Sequence, residues 1–299
     1  MTLSFKTKDR HGYSVQFSPY ISSRLACCTS QYYGIAGRGT LFILDVRSGS
    51  IEPVRIYEWN DGLFDVTWAE NNENVVVAGA GDGSLLLYDV KNPKVNSVSW
   101  SQTRDENLIV TGSWDKLIKL WSIDNPKSLS TYTGHEGIVY SVIWSPRIPG
   151  CFASASGDGT VRLWDRRTSY PQTVISAHQM EVLTCDWNKY DQNILYTGSV
   201  DCSIRGWDVR NTKQCICEMR GHRFAVRRIK TSPFNGNTLA SCSYDFTVRT
   251  WDVRQPHAME IIEHHKEFVY GLDFNLHIPG QIVDCAWDEL IHIHKPKSL

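Results

Sequence analysis

The feature that most constrains the fold of this chain is a pattern that recurs along its whole length. Each copy contains an alternating run ending in Trp or Phe, a run of small residues ending in Asp, and a short run that ends in Trp-Asp in the clearest copies. The aligned positions in the last run are Leu44, Tyr88, Trp121, Trp164, Trp207, Trp251 and Ile293. They lie 42 to 44 residues apart, except for an interval of 33 residues after Tyr88. This period indicates seven similar units stacked on one another.

Each copy has the pattern of a small antiparallel sheet. Segments that alternate with period 2 and are rich in Val, Ile, Leu, Thr and aromatic residues are separated by turns such as Gly157-Asp158-Gly159. A four-stranded sheet leaves an apolar face bare unless another sheet covers it, so such sheets stack radially into a ring. We therefore predict an all-β fold, a seven-bladed WD40 β-propeller, formed by residues 1–299 as a single WD-repeat domain.

The two ends of the chain are predicted to complete one blade together. The seventh copy stops after Ile291-His292-Ile293-His294, whereas the chain begins with a strand-like run, Leu3 to Lys8, that belongs to no copy. Because a ring of sheets must be sealed, we predict that Leu3 to Lys8 pairs beside Leu290 to His294.

The short interval after Tyr88 predicts an incomplete second blade. Asp89 to Lys94 leads almost directly into the run Val95 to Trp100, so the outer strand of the second blade is missing, as is the Gly-His that precedes other copies. Lys91, Pro93 and Lys94 are residues that protect an exposed sheet edge. A shortened blade, an alternative transcript and an incomplete gene model would each produce this interval.

Charge and cysteine usage exclude some classes of function. The chain has 31 Lys and Arg against 32 Asp and Glu, so no overall field favours nucleic acid or an anionic membrane. The first residues lack the apolar core of a secretory signal, and no apolar run is long enough to cross a bilayer. The nine cysteines form no Cys-x-x-Cys pair, which favours reduced thiols. We expect a cytosolic protein without membrane insertion.

A set of His, hydroxyl, Asp and Trp residues recurs in three copies. The hydroxyl residues of these sets are Ser154, Ser156, Thr197, Ser199, Ser241 and Ser243, and the other members are His135, Asp158, Trp164, His178, Asp201, Trp207, His222, Asp245 and Trp251. A His, a hydroxyl and an Asp resemble a hydrolase triad, but a triad occurs once per site. We predict structural hydrogen-bond networks and no enzyme activity.

Three further patterns invite a chemical interpretation. The glycine-rich runs Gly34 to Gly39 and Gly79 to Gly83 have strands on both sides, so they are hairpin turns and not dinucleotide loops. His292 and His294 share one strand face, but no third metal ligand has suitable spacing, and we expect neither a metal nor a cofactor. Trp-Asp-Val-Arg occurs at Trp207 and at Trp251. This pattern is found in substrate adaptors of cullin-type ubiquitin ligases and in WD repeats generally.

Short sequence segments that go beyond the general repeat pattern indicate one family. They are His11-Gly12-Tyr13, Phe17-Ser18-Pro19-Tyr20, Tyr33 to Gly37, Trp59 to Trp68, and Ser241 to Arg249. In these segments the chain resembles the peroxisomal targeting signal type 2 receptors, the WD-repeat peroxins, and the resemblance covers nearly its whole length. The resemblance implies a cytosolic receptor that captures matrix proteins bearing an N-terminal type 2 signal. This signal is an amphipathic peptide with a basic-Leu pair at one end and a His-Leu-like pair at the other.

The resemblance also implies partners. Such a receptor acts with an import co-receptor, engages the peroxisomal docking machinery and shuttles between the cytosol and the peroxisome. The alternative function is that of a substrate adaptor for a cullin-type ubiquitin ligase, which the Trp-Asp-Val-Arg pair motivates.

A peptide-binding surface is expected where the strands begin. In a propeller, the strand-start positions and the residues before each turn Asp lie on one face, which is rich in aromatic residues here and suits an amphipathic helix. The predicted residues are Tyr13, Phe64, Trp114, Tyr140, Glu181, Leu183, Tyr244, Phe268, Tyr270 and Trp287. Each of them alone is equally compatible with packing at the edge of the ring.

Charge on this surface gives two more expectations. Glu181 is placed to meet the basic group of the signal, although a solvated rim carboxylate has the same sequence pattern. Members of the family begin the third blade with an acidic residue, whereas Lys94 stands at the aligned position here. We therefore expect weaker cargo binding and a gain in affinity from Lys94→Glu.

Overall fold

The predicted fold class, an all-β seven-bladed WD40 propeller, is confirmed. A computed structural model describes residues 2–91, 108–122 and 125–299 of the chain. These residues form seven antiparallel sheets, one for each copy of the repeat. They fall into two compact units, one with residues 2–91, 246–248 and 262–299 and the other with residues 108–122, 125–245 and 249–261. The prediction of a single domain over residues 1–299 stays a prediction.

The first unit contains the sheets of the first, second and seventh copies. Its strands are β1 (Leu3–Lys6), β2 (His11–Phe17), β3 (Arg24–Ser30), β4 (Gly39–Arg47), β5 (Ser50–Trp59), β6 (Leu63–Trp68), β7 (Val75–Ala80), β8 (Leu85–Asp89), β24 (Val269–Phe274), β25 (Ile282–Ala286) and β26 (Leu290–His294). The sheet orders are β2-β3-β4-β5, β6-β7-β8 and β1-β26-β25-β24. A short 3-10 helix, Tyr32–Gly34, lies between β3 and β4.

The second unit contains the sheets of the third to sixth copies. Its strands are β9 (Leu108–Gly112), β10 (Ile118–Ser122), β11 (Asn125–Tyr132), β12 (Val139–Trp144), β13 (Cys151–Ser156), β14 (Thr160–Asp165), β15 (Thr173–Ser176), β16 (Val182–Trp187), β17 (Ile194–Ser199), β18 (Ser203–Asp208), β19 (Cys217–Arg220), β20 (Val226–Thr231), β21 (Thr238–Ser243), β22 (Val248–Asp252) and β23 (Ala258–Ile262). The orders are β9-β10-β11, β12-β13-β14-β15, β16-β17-β18-β19 and β20-β21-β22-β23.

The apolar cores lie between neighbouring sheets of a unit. In β4, Phe42 and Leu44 pack with residues of the seventh sheet, whereas Leu41 and Ile43 pack with residues of the second sheet. Successive residues of a strand point to opposite faces, so a strand covered on both sides needs an unbroken apolar run. The second unit repeats this arrangement between its third and fourth, fourth and fifth, and fifth and sixth sheets.

The N-terminal strand completes the seventh sheet, as predicted. β1 pairs with β26 in antiparallel register, with Leu3 opposite Ile293 and Lys6 opposite Leu290. Phe5 meets Phe42 edge-on at 5.9 Å, which anchors the strand to the core of the first unit. The strand ends at Lys6 and not at Lys8, because Thr7 turns inward and its amide donates to the carbonyl of Glu289.

The strand register corrects one aligned position of the repeat. Trp164 pairs with Phe152, and the corresponding pair in the seventh sheet is Ile282 and His294. His294 therefore occupies the position of Trp164, and the assignment of Ile293 to that position was wrong. The apolar side chain of Ile293 made it the better match to a Trp in the sequence, but Ile293 packs in the core between the first and seventh sheets.

The predicted defect of the second blade stays a prediction. The described part of this sheet has three strands, β6, β7 and β8, and Lys91 pairs with Glu73 at 3.2 Å. Pro93, Lys94 and the run Val95 to Trp100 lie outside the described residues.

Candidate functional site

The inner strand of each of six sheets begins with a β-bulge. In β12, for example, Val139 is opposite Ser156 and Ser141 is opposite Ala155, so Tyr140 has no partner in the ladder. The bulged residues of the six strands are Tyr13, Phe64, Tyr140, Leu183, Arg227 and Tyr270. A bulge turns one side chain out of the regular alternation and is common beside binding sites. Five of the six residues were predicted as site residues from the sequence, and Arg227 was missed.

In the first unit, five predicted residues meet in one group of rings, which we call the aromatic cluster. Its members are His11, Tyr13, Tyr33, Phe64, Phe268, Tyr270 and Trp287. Tyr270 stacks on Trp287 at 4.8 Å with an interplanar angle of 11°. Tyr13 meets Phe64 edge-on at 4.9 Å, and its ring lies 5.0 Å from that of Tyr270 with a tilt of 58°. Centroid distances of about 4.5–7 Å are typical of favourable aromatic pairs.

Two members of the aromatic cluster, His11 and Tyr33, were not predicted as site residues. The ring of His11 stacks on that of Tyr33 at 4.0 Å, and the hydroxyl of Tyr13 donates to the carbonyl of Tyr33 at 2.6 Å. The next residue, Gly34, has φ +70°, and a Cβ there would lie 2.8 Å from both Phe64 and Tyr13. The glycine therefore lets the 3-10 turn approach the cluster.

In the aromatic cluster, one ring is buried and others are partly exposed. Tyr13 is only 5% exposed, whereas Tyr33 is 48% exposed and Phe64, Phe268 and Trp287 are intermediate. The indole nitrogen of Trp287 is buried and has no hydrogen-bond partner among the described residues. Rings fixed from below in this way offer apolar area at a low cost in side-chain entropy.

In the second unit, Glu181 and Tyr140 form a polar pair. The hydroxyl of Tyr140 donates to the carboxylate of Glu181 at 3.0 Å. Burial and this hydrogen bond to an acceptor raise the pKa of Tyr140 to about 12, with further charge effects from Tyr244 and Arg227. A Cβ on Gly157 would lie 3.0 Å from the Glu181 carboxylate, so the glycine leaves room for it. The carboxylate is thus held at the start of β16.

The other predicted residues of the second unit are less uniform. Leu183 is 5% exposed and packs within the sheet, whereas Trp114 is 80% exposed on the turn between β9 and β10. No ring contact or hydrogen bond joins Trp114 to another predicted residue in the described part of the chain. Tyr244 is partly exposed, and its amide donates to the carbonyl of Ala225.

Comparison with known proteins gives the family of this chain. The family model described as "WD domain, G-beta repeat" matches residues 91–122, 126–165, 169–208 and 213–252. The mouse peroxisomal targeting signal 2 receptor is 52% identical over 99% of this chain and 97% of its own length. The human protein of that name is 55% identical over 98% of this chain and 95% of its own length. The chain belongs to the peroxisomal targeting signal 2 receptor family.

Three copies of the repeat in this family member contain a continuous buried hydrogen-bond network. In the fourth copy, Ser154 lies 2.6 Å from Nε2 of His135 and 2.8 Å from the indole nitrogen of Trp164, and Nδ1 of His135 lies 2.8 Å from Asp158. The corresponding distances for Thr197 and Ser241 to their His and Trp partners are 2.7 to 3.1 Å. Asp201 and Asp245 lie 2.8 and 2.9 Å from His178 and His222.

The hydroxyl groups of these networks are not placed to act as catalytic nucleophiles, as Ser154 shows. Ser154 is completely buried, and its oxygen is already engaged by an imidazole and an indole, so a substrate carbonyl has no access to it. Burial lowers the pKa of His135, which favours the neutral ring. Although burial opposes it, hydrogen bonds from Thr160 and His135 lower the pKa of Asp158 to about 2.

The Trp-Asp-x-Arg pattern of this family member forms a local turn. Arg210 binds Asp208 through two guanidinium nitrogens, and Arg254 binds Asp252 in the same way. Arg167 makes the same contacts with Asp165, although the copy there reads Trp-Asp-Arg-Arg. The geometry of these arginines therefore follows from the turn. None of the described helices is long and apolar enough to cross a membrane.

Proposed function

We propose that this chain is a receptor for the N-terminal type 2 targeting signal of peroxisomal matrix proteins. The observation that carries the proposal is the aromatic cluster of the first unit, built by bulged strand starts, in a chain that is more than half identical to a receptor of that name. The chain acts by binding and not by catalysis. It captures its cargo in the cytosol and shuttles to the peroxisome with an import co-receptor and the docking machinery.

The aromatic cluster suits the apolar face of the signal. An amphipathic peptide lays its apolar face on rings that are already fixed in place, so most of the buried area contributes to affinity. Phe64, Phe268, Tyr270 and Trp287 supply this surface, and Tyr13 supports them from below. We expect Tyr33 and His11 to border it, because their rings stack on each other and Tyr33 contacts Trp287 at 5.2 Å.

Glu181 suits the basic group of the signal. Its carboxylate is partly buried, and the hydroxyl of Tyr140 fixes one oxygen. Removal of one partner from a partly desolvated charge pair costs more affinity than removal of a charge on an open rim. We therefore propose Glu181 as the cargo-contact residue of the second unit.

A titration with a labelled type 2 signal peptide tests the proposal. Wild type is compared with Glu181→Ala, Glu181→Gln and Glu52→Ala, where Glu52 is an exposed carboxylate on β5. Loss of a desolvated charge pair should weaken binding by roughly 2–5 kcal/mol, whereas a rim charge should mainly change the association rate and its salt dependence. Glu52→Ala should bind as wild type does. Equal affinity for a scrambled peptide would refute the receptor function.

Two further variants locate the peptide. Tyr270→Ala removes a ring that stacks on Trp287, and its loss should weaken binding without changing the salt dependence. Lys94 lies outside the described residues, and Lys94→Glu should tighten binding if this position faces the basic group. If both Glu181→Ala and Lys94→Glu leave affinity unchanged, the peptide binds elsewhere.

A further inference from the structure

The seventh copy replaces the hydroxyl and the indole of the repeat network with a carboxylate and an imidazole. Asp284 stands where Ser154 stands in the fourth copy, and His294 stands where Trp164 stands. His265 and Asp288 take the positions of His135 and Asp158, with Nδ1 of His265 2.9 Å from the Asp288 carboxylate. A network centred on a hydroxyl has thereby become a group of imidazoles around a buried carboxylate.

Asp284 is the centre of this group. It is completely buried, and its Oδ1 lies 2.7 Å from Nε2 of His265 and 2.9 Å from Nε2 of His264. Its Oδ2 lies 2.7 Å from Nε2 of His294. Three imidazoles therefore contact one carboxylate, whereas the hydroxyl of Ser154 in the fourth copy contacts one imidazole and one indole.

A fourth imidazole, that of His292, completes what we call the histidine cluster: His264, His265, His292 and His294. The ring of His264 lies 4.3 Å from that of His292 and 4.7 Å from those of His265 and His294. His292 is 7% exposed, and its Nε2 is buried with no hydrogen-bond partner among the described residues. A buried polar atom of this kind needs a partner such as a water molecule or a bound ion.

We infer that His264, His265, His292 and Asp284 form a binding site for a divalent transition-metal ion of the zinc type. The ligand atoms of His264, His265 and His292 all lie within 4.8 Å of one another, as do those of His264, Asp284 and His294. Three imidazoles and a carboxylate are ligands that Zn²⁺ accepts, and imidazole favours Zn²⁺ over Mg²⁺ or Ca²⁺.

The groups behind the ligands support this inference. Metal-binding imidazoles almost always donate their second N–H to an oxygen, which fixes the ring and its tautomer. Ser4 Oγ lies 2.7 Å from Nδ1 of His292, so a donation from Nδ1 to Ser4 leaves the lone pair of Nε2 for the metal. Asp288 holds Nδ1 of His265, and His294 holds the second oxygen of Asp284.

One ligand of the proposed site reaches the surface of the protein. His264, whose side chain is 20% exposed, gives the ion a path from solvent.

Titration of the full chain with Co²⁺ tests the inference. The chain is purified with a tag that contains no histidine, treated with a chelator and dialysed, and Co²⁺ binding is followed by its visible d–d absorption and Zn²⁺ binding by calorimetry. We expect one equivalent of each ion, with Zn²⁺ displacing Co²⁺. His264→Gln should abolish this binding, and it keeps every member of the repeat network. His277→Gln, at an exposed histidine of the same unit, should bind as wild type does.

A second variant separates ligation from folding. Ser4→Ala removes the group behind His292 but no ligand, and it should weaken metal affinity by about 10–100-fold. Thermal unfolding of each variant without metal identifies any that fail to fold. The inference is overturned if wild type binds no stoichiometric ion, or if His264→Gln binds Co²⁺ as tightly and with the same absorption as wild type.

Discussion

The sixth and seventh copies of the repeat contain corresponding buried hydrogen-bond networks with different central residues. In the sixth copy, Ser241 connects the imidazole of His222 to the indole of Trp251 through hydrogen bonds of 2.7 and 2.8 Å. In the seventh copy, Asp284 connects His265 to His294, both at 2.7 Å. The backbone positions correspond, but a hydroxyl that both donates and accepts has been replaced by a carboxylate that only accepts.

One backbone arrangement therefore supports two kinds of hydrogen-bond network. Where the central member is a hydroxyl, as at Ser241, its loss removes no charge and leaves only a limited penalty. A buried carboxylate depends on its cationic or donating partners, and the loss of the charge leaves those partners uncompensated. The seventh copy should therefore be the more sensitive of the two to single substitutions.

The largest effect is expected from Asp284→Asn. Because Asp284 is completely buried and contacts three imidazoles, loss of its charge should lower the free energy of unfolding by about 3–5 kcal/mol. Urea unfolding in the presence of a chelator measures this without a contribution from metal. Ser241→Ala, at the same position in the sixth copy, should cost about 1–3 kcal/mol. Equal losses in the two variants would contradict the comparison.

A smaller effect is expected from Asp245→Ala in the sixth copy. The carboxylate of Asp245 lies 2.9 Å from Nδ1 of His222 and 3.0 Å from the amide of Arg223, and both donors would lose this acceptor. The expected cost is on the order of 1–3 kcal/mol, measured by urea unfolding. If Asp245→Ala kept full stability and selectively lost a chemical activity, the catalytic interpretation would have to be revived.

The smallest effect is a dependence of stability on pH in the sixth copy. Burial lowers the pKa of His222 below its ordinary value of 6.5, although Asp245 partly opposes this. Below pH 6.5, His222 is protonated more readily in the unfolded chain than in the folded chain. The free energy of unfolding should therefore decrease as the pH falls below 6.5. Unfolding at pH 7.5 and at pH 5.5 should show a larger loss for wild type than for His222→Gln.

The control for this pH prediction is His277→Gln, which alters an exposed histidine. It should retain the full loss of stability that wild type shows between the two pH values. An identical loss in wild type and His222→Gln would show that the network of the sixth copy does not contribute to the pH dependence.

Local sequence patterns were sufficient to predict the repeat, the number of sheets and the pairing of β1 with β26. These follow from local rules, since turn residues fix hairpin register and alternation fixes which side chains are buried. The fixed spacing of His135, Ser154, Asp158 and Trp164 likewise made their network predictable. Short segments such as Trp59 to Trp68 also indicated the receptor family, which the mouse and human relatives confirm.

Contacts between side chains that are distant in the chain could not be read from local sequence patterns. His11, Tyr33 and Trp287 are far apart in the chain, and no local pattern brings their rings together. The bulges that select Tyr13, Arg227 and Tyr270 depend on the pairing of whole strands. The histidine cluster escaped the sequence pattern because Asp284 and His294 share no letters with Ser154 and Trp164. Their equivalence is a matter of strand register, and register in a sheet is set by the packing of its faces.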